Sequence, residues 1–126
     1  AELLDRALSG TFVTSPDGTM RRTSGFVEFH LGAANFPWRS QAKWIAARLE
    51  KQHGGAALSE DDIRKVVRAD LYRQHLGSVG CDFPGASEKV EGAIRVKMPV
   101  ASEHGSLTLL PDGFFDGRVF DPASDM

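Results

Sequence analysis

The chain has a single cysteine, a single tyrosine and no apolar run longer than a few residues among its 126 positions. With Cys81 alone, no intramolecular disulfide can form, so a reducing compartment is favoured and a cytoplasmic location is expected. The apolar runs fall far short of the ~20 residues that span a bilayer, so no membrane partner is expected. The first ten residues, AELLDRALSG, carry neither a basic flank nor an apolar h-region, and the expectation is no retained signal peptide.

Metal-ligand spacing is missing as well. His30, His53, His75 and His104 stand at least 22 residues apart, with none at i, i+4. Gly77, Gly80 and Gly85 do not follow a strand and open a helix, which excludes a dinucleotide or phosphate loop. The stretch from Asp112 to Gly117 puts Phe114 and Phe115 where a calcium loop needs oxygen ligands. No repeat of 20–50 residues is present. No cofactor is expected.

The composition that remains, 41% hydrophobic and 25% charged, is that of a soluble globular protein. The length suits one domain over 1–126, with roughly two thirds of the unfolded chain's surface buried. Leucines at 3, 4 and 8 predict a short helix over 1–8, ended by Gly10. Thr11 to Ser15 reads as a strand, and Pro16-Asp17-Gly18 as a hairpin turn: fixed φ, a self-bonding side chain, then tolerance of positive φ. The return strand, 20–31, ends in the alternation Val27, Phe29, Leu31 against Phe26, Glu28, His30.

Asn35 then stands as N-cap and Pro37 at the first turn of a helix whose inward face is Trp38, Ala42, Ile45, Ala46 and Leu49. Gly54-Gly55 ends it. A second helix runs from its cap at Ser59 to Gly77, with Glu60, Asp61 and Asp62 in the first turn and Leu58 and Ile63 at staple positions. Its stripe is Ile63, Val66, Val67, Leu71 and Gln74. After a loop over 78–89, residues 90–100 alternate as a strand. Residues 107–110 and 114–120 flank a second Pro-Asp-Gly turn as a hairpin, and 121–126 form a frayed tail. The expected fold is α+β: a two-layer sandwich in the order ββ-αα-βββ, an antiparallel sheet of about four to five strands with two helices on one face.

Charge is unevenly spread behind a net of −2. Residues 37–77 hold eight bases against five acids; residues 99–126 hold Arg118 against five acids. Arg39, Lys43, Arg64 and Arg68 therefore form a candidate basic face, with Lys65 and Trp44 beside them. Cations on one face are what a phosphate backbone or another anion requires, and an aromatic adds stacking. The bland alternative is solvated helix faces balanced by Glu50, Glu60 and Asp61. Phe114 and Phe115 are adjacent after a turn, so their side chains oppose and one is expected to be an exposed apolar anchor.

The expected function is thus a small non-enzymatic interaction or regulatory domain. Its partner would be a protein, a second copy or nucleic acid, held by the basic helical face and the aromatic hairpin. The competing expectation is a small enzyme using His30, His75 or Cys81. Cys81 follows a helix C-terminus and so lacks the helix-dipole assistance of a reactive thiolate; its ordinary role is a small apolar filler.

Overall fold

The Pro16-Asp17-Gly18 turn pairs Thr11–Val13 (β1) with Met20–Arg22 (β2), Thr11 opposite Arg22 and Val13 opposite Met20. Asp17 Oδ1 accepts from the backbone N–H of Thr19 at 2.9 Å and from its hydroxyl at 2.6 Å. That local bond is the reason aspartate favours turns. Glu2–Ser9 (α1) precedes the hairpin, as the leucine spacing predicts. The computed structural model describes residues 2–23, 27, 32–54, 56 and 58–125. The expected continuation of the return strand, including Glu28 and His30, lies outside them apart from Val27.

Arg39–His53 (α2) begins four residues after Asn35 and two after Pro37. Trp38 occupies the N-cap and supplies no side-chain bond. The loop over 84–89 caps the helix instead: the Arg39 N–H donates to the Ser87 carbonyl at 2.9 Å. Ser40 Oγ donates to Glu91 Oε1 at 2.6 Å and accepts from the Lys89 N–H at 3.2 Å. These tertiary bonds rotate the helix. Its buried residues are Ser40, Lys43 and Ala46, whereas Ile45 and Leu49 of the expected inward face are about half exposed. A polar side chain can face inward when every group finds a partner, and here each does.

Glu60–Val66 (α3) opens with the expected cap. Ser59 Oγ accepts from the Asp62 N–H at 3.1 Å, and Asp62 Oδ2 accepts from the Ser59 N–H at 3.3 Å. The helix does not run on to Gly77. Val67 and Arg68 leave helical geometry, with ψ of 91° and 67°, and Ala69–Leu76 (α4) starts anew. Two β-branched residues, Val66 and Val67, hold a helix weakly. The break turns Ala69 and Tyr72 inward, leaving Val66 81% exposed and Leu71 41%. A single 3-10 turn, Gly77–Val79, follows.

The core is aromatic. Phe36, Trp38, Ala69, Tyr72 and Phe83 cluster, with Leu76, Cys81 and Leu109 packed against them. Phe36 meets Trp38 edge-on at 4.9 Å and Tyr72 at 5.3 Å; Tyr72 meets Phe83 at 6.4 Å. Such pairs contribute ~0.5–1.5 kcal/mol each beyond area burial. Phe36, Trp38 and Phe83 are therefore spent on the core and do not serve as surface anchors.

Helix and strand are mixed, as expected, but the sheet of four to five strands does not form. Strand pairing among the described residues consists of two separate two-stranded ladders, β1–β2 and Met98–Pro99 (β3) with Thr108–Leu109 (β4). Isolated bridges join Pro84 to Ser102 and Glu91 to Phe120. The second Pro-Asp-Gly closes no hairpin because its aspartate bonds elsewhere. Asp112 Oδ1 accepts from the Ile94 N–H at 2.9 Å, Oδ2 takes the Lys89 ammonium, and the Asp112 N–H donates to the Ile94 carbonyl.

Candidate functional site

Four arginines meet where α2 begins and α3 gives way to α4. Arg39 stands in the first turn of α2, Arg64 in the last turn of α3, Arg68 at the break and Arg73 in α4. Together with Val67 and Ser87 they line a cleft of about 340 Å³. The break carries the geometry, since an unbroken helix over 59–77 would hold Arg64, Arg68 and Arg73 to one fixed set of angular offsets.

Arg73 builds the wall. Its Nη2 donates to the carbonyls of Pro84, Gly85 and Ala86 at 3.0–3.2 Å, and Nη1 to Ser87 Oγ at 3.0 Å. The guanidinium also lies over the Phe36 ring at 5.1 Å, a cation–π contact. Both Nη groups have acceptors and neither goes to a carboxylate, so its charge still acts on the cleft. Arg39 Nε is buried and lacks a hydrogen-bond acceptor; Glu88 Oε1 lies at 3.4 Å, an ion pair without bonding geometry. Arg68 is held by Asp70 in a two-point contact at 2.8 and 2.6 Å. The same contact holds the Asp70 carboxyl down at about 2. Arg64 is exposed, and no carboxylate lies within ion-pair distance of it among the described residues. Asp70 is the one carboxylate on the lining, while Glu88 beside Arg39 and Glu60, whose charge acts on Arg64 and Arg39, offset part of the positive charge from outside the cleft.

Lys43 is not part of this face. It is 4% exposed, with its ammonium between Glu60 and Glu88. The pairing holds the Glu60 carboxyl below its ordinary range. Lys43 works as a clamp that ties α2 to the start of α3 and to the 84–89 loop.

No protein-family model, curated protein or solved structure matches the chain.

Phe114 and Phe115 lie apart from the arginines. Phe115 is fully exposed. Phe114 stacks on Trp44 at 5.2 Å and 14° between planes, and Arg48 covers the Trp44 ring at 5.6 Å. Gly92 permits that packing: it sits at φ +80°, and a Cβ there would stand 2.7 Å from Phe114 Cδ2 and 2.8 Å from the Arg118 carbonyl. Gly92→Ala is expected to cost about 2 kcal/mol, from left-handed backbone strain plus the displaced ring. Its denaturant midpoint and Trp44 fluorescence should both shift.

The titratable candidates do not assemble into a reactive set. His75 is exposed in the last turn of α4. Cys81 is partly buried against the aromatic core beside Tyr72; burial raises the Tyr72 hydroxyl pKa, and the neighbouring Cys81 adds to the rise. Among the described residues, no three His, Cys, Asp or Glu side chains are placed to hold a metal ion. Nor is any helix long and apolar enough to cross a membrane.

Sequence reasoning missed Arg73, whose role depends on carbonyls more than ten positions downstream. A basic residue directly after a tyrosine gives no hint of that reach. The convergence of Arg39 with Arg64 and Arg68 was legible as a charge excess, though not as a cleft.

Proposed function

We propose that the domain is a non-enzymatic interaction module that grips an anionic group of a partner protein or nucleic acid in the arginine cleft. The convergence of Arg39, Arg64, Arg68 and Arg73 on one concavity carries this proposal. Guanidinium forks match carboxylate and phosphate oxygens in pairs, and a partly enclosed set of them is worth more than the same charges spread on a helix face. Arg64 has free donors, and Arg68 can exchange Asp70 for an incoming oxyanion. The exposed Phe115 ring is the apolar anchor of the same module. A single thiol suits a reducing, cytoplasmic setting.

A small enzyme using His30, His75 or Cys81 is the alternative, and it draws less support. His75 and Cys81 stand on different surroundings, one solvent, the other the aromatic core.

The test uses a labelled short oligothymidine and a labelled polyglutamate peptide, titrated across a salt series. Arg64→Ala with Arg68→Ala should weaken binding of the preferred probe about tenfold or more. For the oligonucleotide, the slope of log K against log salt should fall by about 1.4, two contacts at ~0.7 each. Lys65→Ala, whose ammonium sits by Asp62 outside the cleft, should change little. Equal affinity and slope in the double variant would remove the cleft from consideration.

A further inference from the structure

On the opposite flank of α2, a second cavity of about 350 Å³ opens between the helix and the segment over 114–120. Its floor is apolar: Trp44 and Ala47 from α2, Phe114, Val119 and Phe120 from the facing segment. Its rim is cationic, with Arg48 and Lys51 on α2 and Arg118 across from them; Asp125 is the one acid on the lining. Arg118 is in part engaged by Asp116 at 3.6 Å, an exposed pair of little strength. Lys51 has no carboxylate within ion-pair distance among the described residues.

Two further observations concern Trp44 itself. Its indole N–H is closed to solvent and has no hydrogen-bond acceptor, so it reports on how the ring packs and does not itself bind the ligand. The Trp44–Phe114 stack presents the aromatic surface on which a flat ring packs by offset stacking or edge contact. The volume is that of a small-molecule site: apolar walls with a few placed polar groups.

We propose that this cavity binds a small aromatic anion: a flat apolar body against Trp44 and Phe114, its charged oxygens facing Arg48 and Lys51. The anion is a carboxylate or a phosphate, and both share this recognition. The cavity uses none of the residues of the arginine cleft, so it stands or falls without that proposal.

The experiment follows the two tryptophan indole N–H resonances by NMR during titration with naphthoate and, separately, adenosine monophosphate. The neutral counterparts are naphthalene carboxamide and adenosine; Trp44→Phe assigns the resonances. Binding of either anion should move the Trp44 resonance and leave that of core-bound Trp38 in place. The tighter anion identifies carboxylate or phosphate as the source. Arg48→Ala with Lys51→Ala should weaken binding about tenfold. That variant's Trp38 resonance should stay at its wild-type position, because the aromatic contact that Arg48 makes is with Trp44. Arg64→Ala with Arg68→Ala should leave the titration unchanged. A Trp44 resonance unmoved by both anions overturns the proposal, as do neutral counterparts that bind as tightly as the anions.

Discussion

Asp82→Asn is expected to lower the unfolding free energy by about 3 kcal/mol, the largest single loss at a carboxylate in this protein. Asp82 is 5% exposed and is surrounded by donors. Oδ1 accepts from the N–H groups of Phe83 at 2.9 Å and His104 at 3.0 Å. Oδ2 accepts from Ser102 Oγ at 2.7 Å, Ser106 Oγ at 2.9 Å and the Ser106 N–H at 3.1 Å. Whichever way an asparagine amide turns, its NH2 faces a backbone N–H that cannot reverse. The damage spreads to the core, because Ser102 Oγ also accepts from the N–H of Leu107, which is 2% exposed. Chemical denaturation checks the figure; a loss under about 1 kcal/mol would mean that the 102–106 loop holds its place without Asp82.

The same residue sets an acid limit. Burial pushes the Asp82 carboxyl up, but the His104 N–H, the Ser102 and Ser106 hydroxyls and the Ser106 N–H outweigh it and hold the pKa well below the carboxylate range. A depressed folded pKa contributes stability that is present above the unfolded value near 4 and is lost as pH falls through the folded value. Wild-type stability should therefore decline from about pH 4 downward, and Asp82→Asn should flatten that decline.

Lys89→Met should cost a comparable ~3 kcal/mol, by a different route. The Lys89 ammonium joins Glu91 at 2.5 Å and Asp112. Their side chains are 16%, 7% and 22% exposed respectively. Glu91 also accepts from Ser40 Oγ in the first turn of α2, and Lys89 lies over the Trp38 ring at 5.8 Å. Removing the cation strands two carboxylates in a poorly solvated place, which costs far more than losing a surface pair. Lys89→Met with Glu91→Gln should recover part of the loss, and that recovery in a double-mutant cycle distinguishes stranded charge from lost packing.

The pH dependence of this penalty has a definite sign. Burial raises the Asp112 carboxyl, yet the Lys89 ammonium and the Ile94 N–H outweigh it and hold the group below its ordinary range. That contribution is present above about pH 4 and disappears as pH falls through the lowered value. The gap between wild type and Lys89→Met should therefore be widest at neutral pH and narrow on acidification. A gap that is constant with pH would assign the loss to packing of the lysine stem.

The Lys89 network also positions both candidate sites. The Lys89–Glu91–Ser40 bonds set the rotation of α2, which puts Arg39 into the arginine cleft on one flank and Trp44 against Phe114 on the other. The Ser87 carbonyl that caps α2 directly follows the Pro84, Gly85 and Ala86 carbonyls that Arg73 grasps. Neither cleft would survive a slip of that loop.

Signals that act over a few residues were legible. Asp17 bonding Thr19, Ser59 exchanging bonds with Asp62, and the glycines ending α1 and α2 are each decided by atoms within five positions of one another. Hydrophobic spacing placed Trp38 and Ala46 inward correctly, but it added Ile45 and Leu49 in place of Ser40 and Lys43, which it counts as outward. Their burial depends on Glu91 and Glu88, 51 and 45 positions away. The second Pro-Asp-Gly has the same letters as the first and a different outcome, since Asp112 found Lys89 and Ile94 while Asp17 found only its neighbour.

The sequence by itself determined the mixed helix and strand content, the first hairpin, the α3 cap and the excess of positive charge between residues 37 and 77. Each follows from backbone preferences and bonds made within a turn or two of chain. Tertiary structure alone decided the inward turn of Lys43, the replacement of a broad sheet by two short ladders, and the meeting of Trp44 with Phe114. In every one of these a buried polar or aromatic group took a partner far along the chain. Satisfying such a group outweighs the few tenths of a kcal/mol by which local propensity favours one geometry over another.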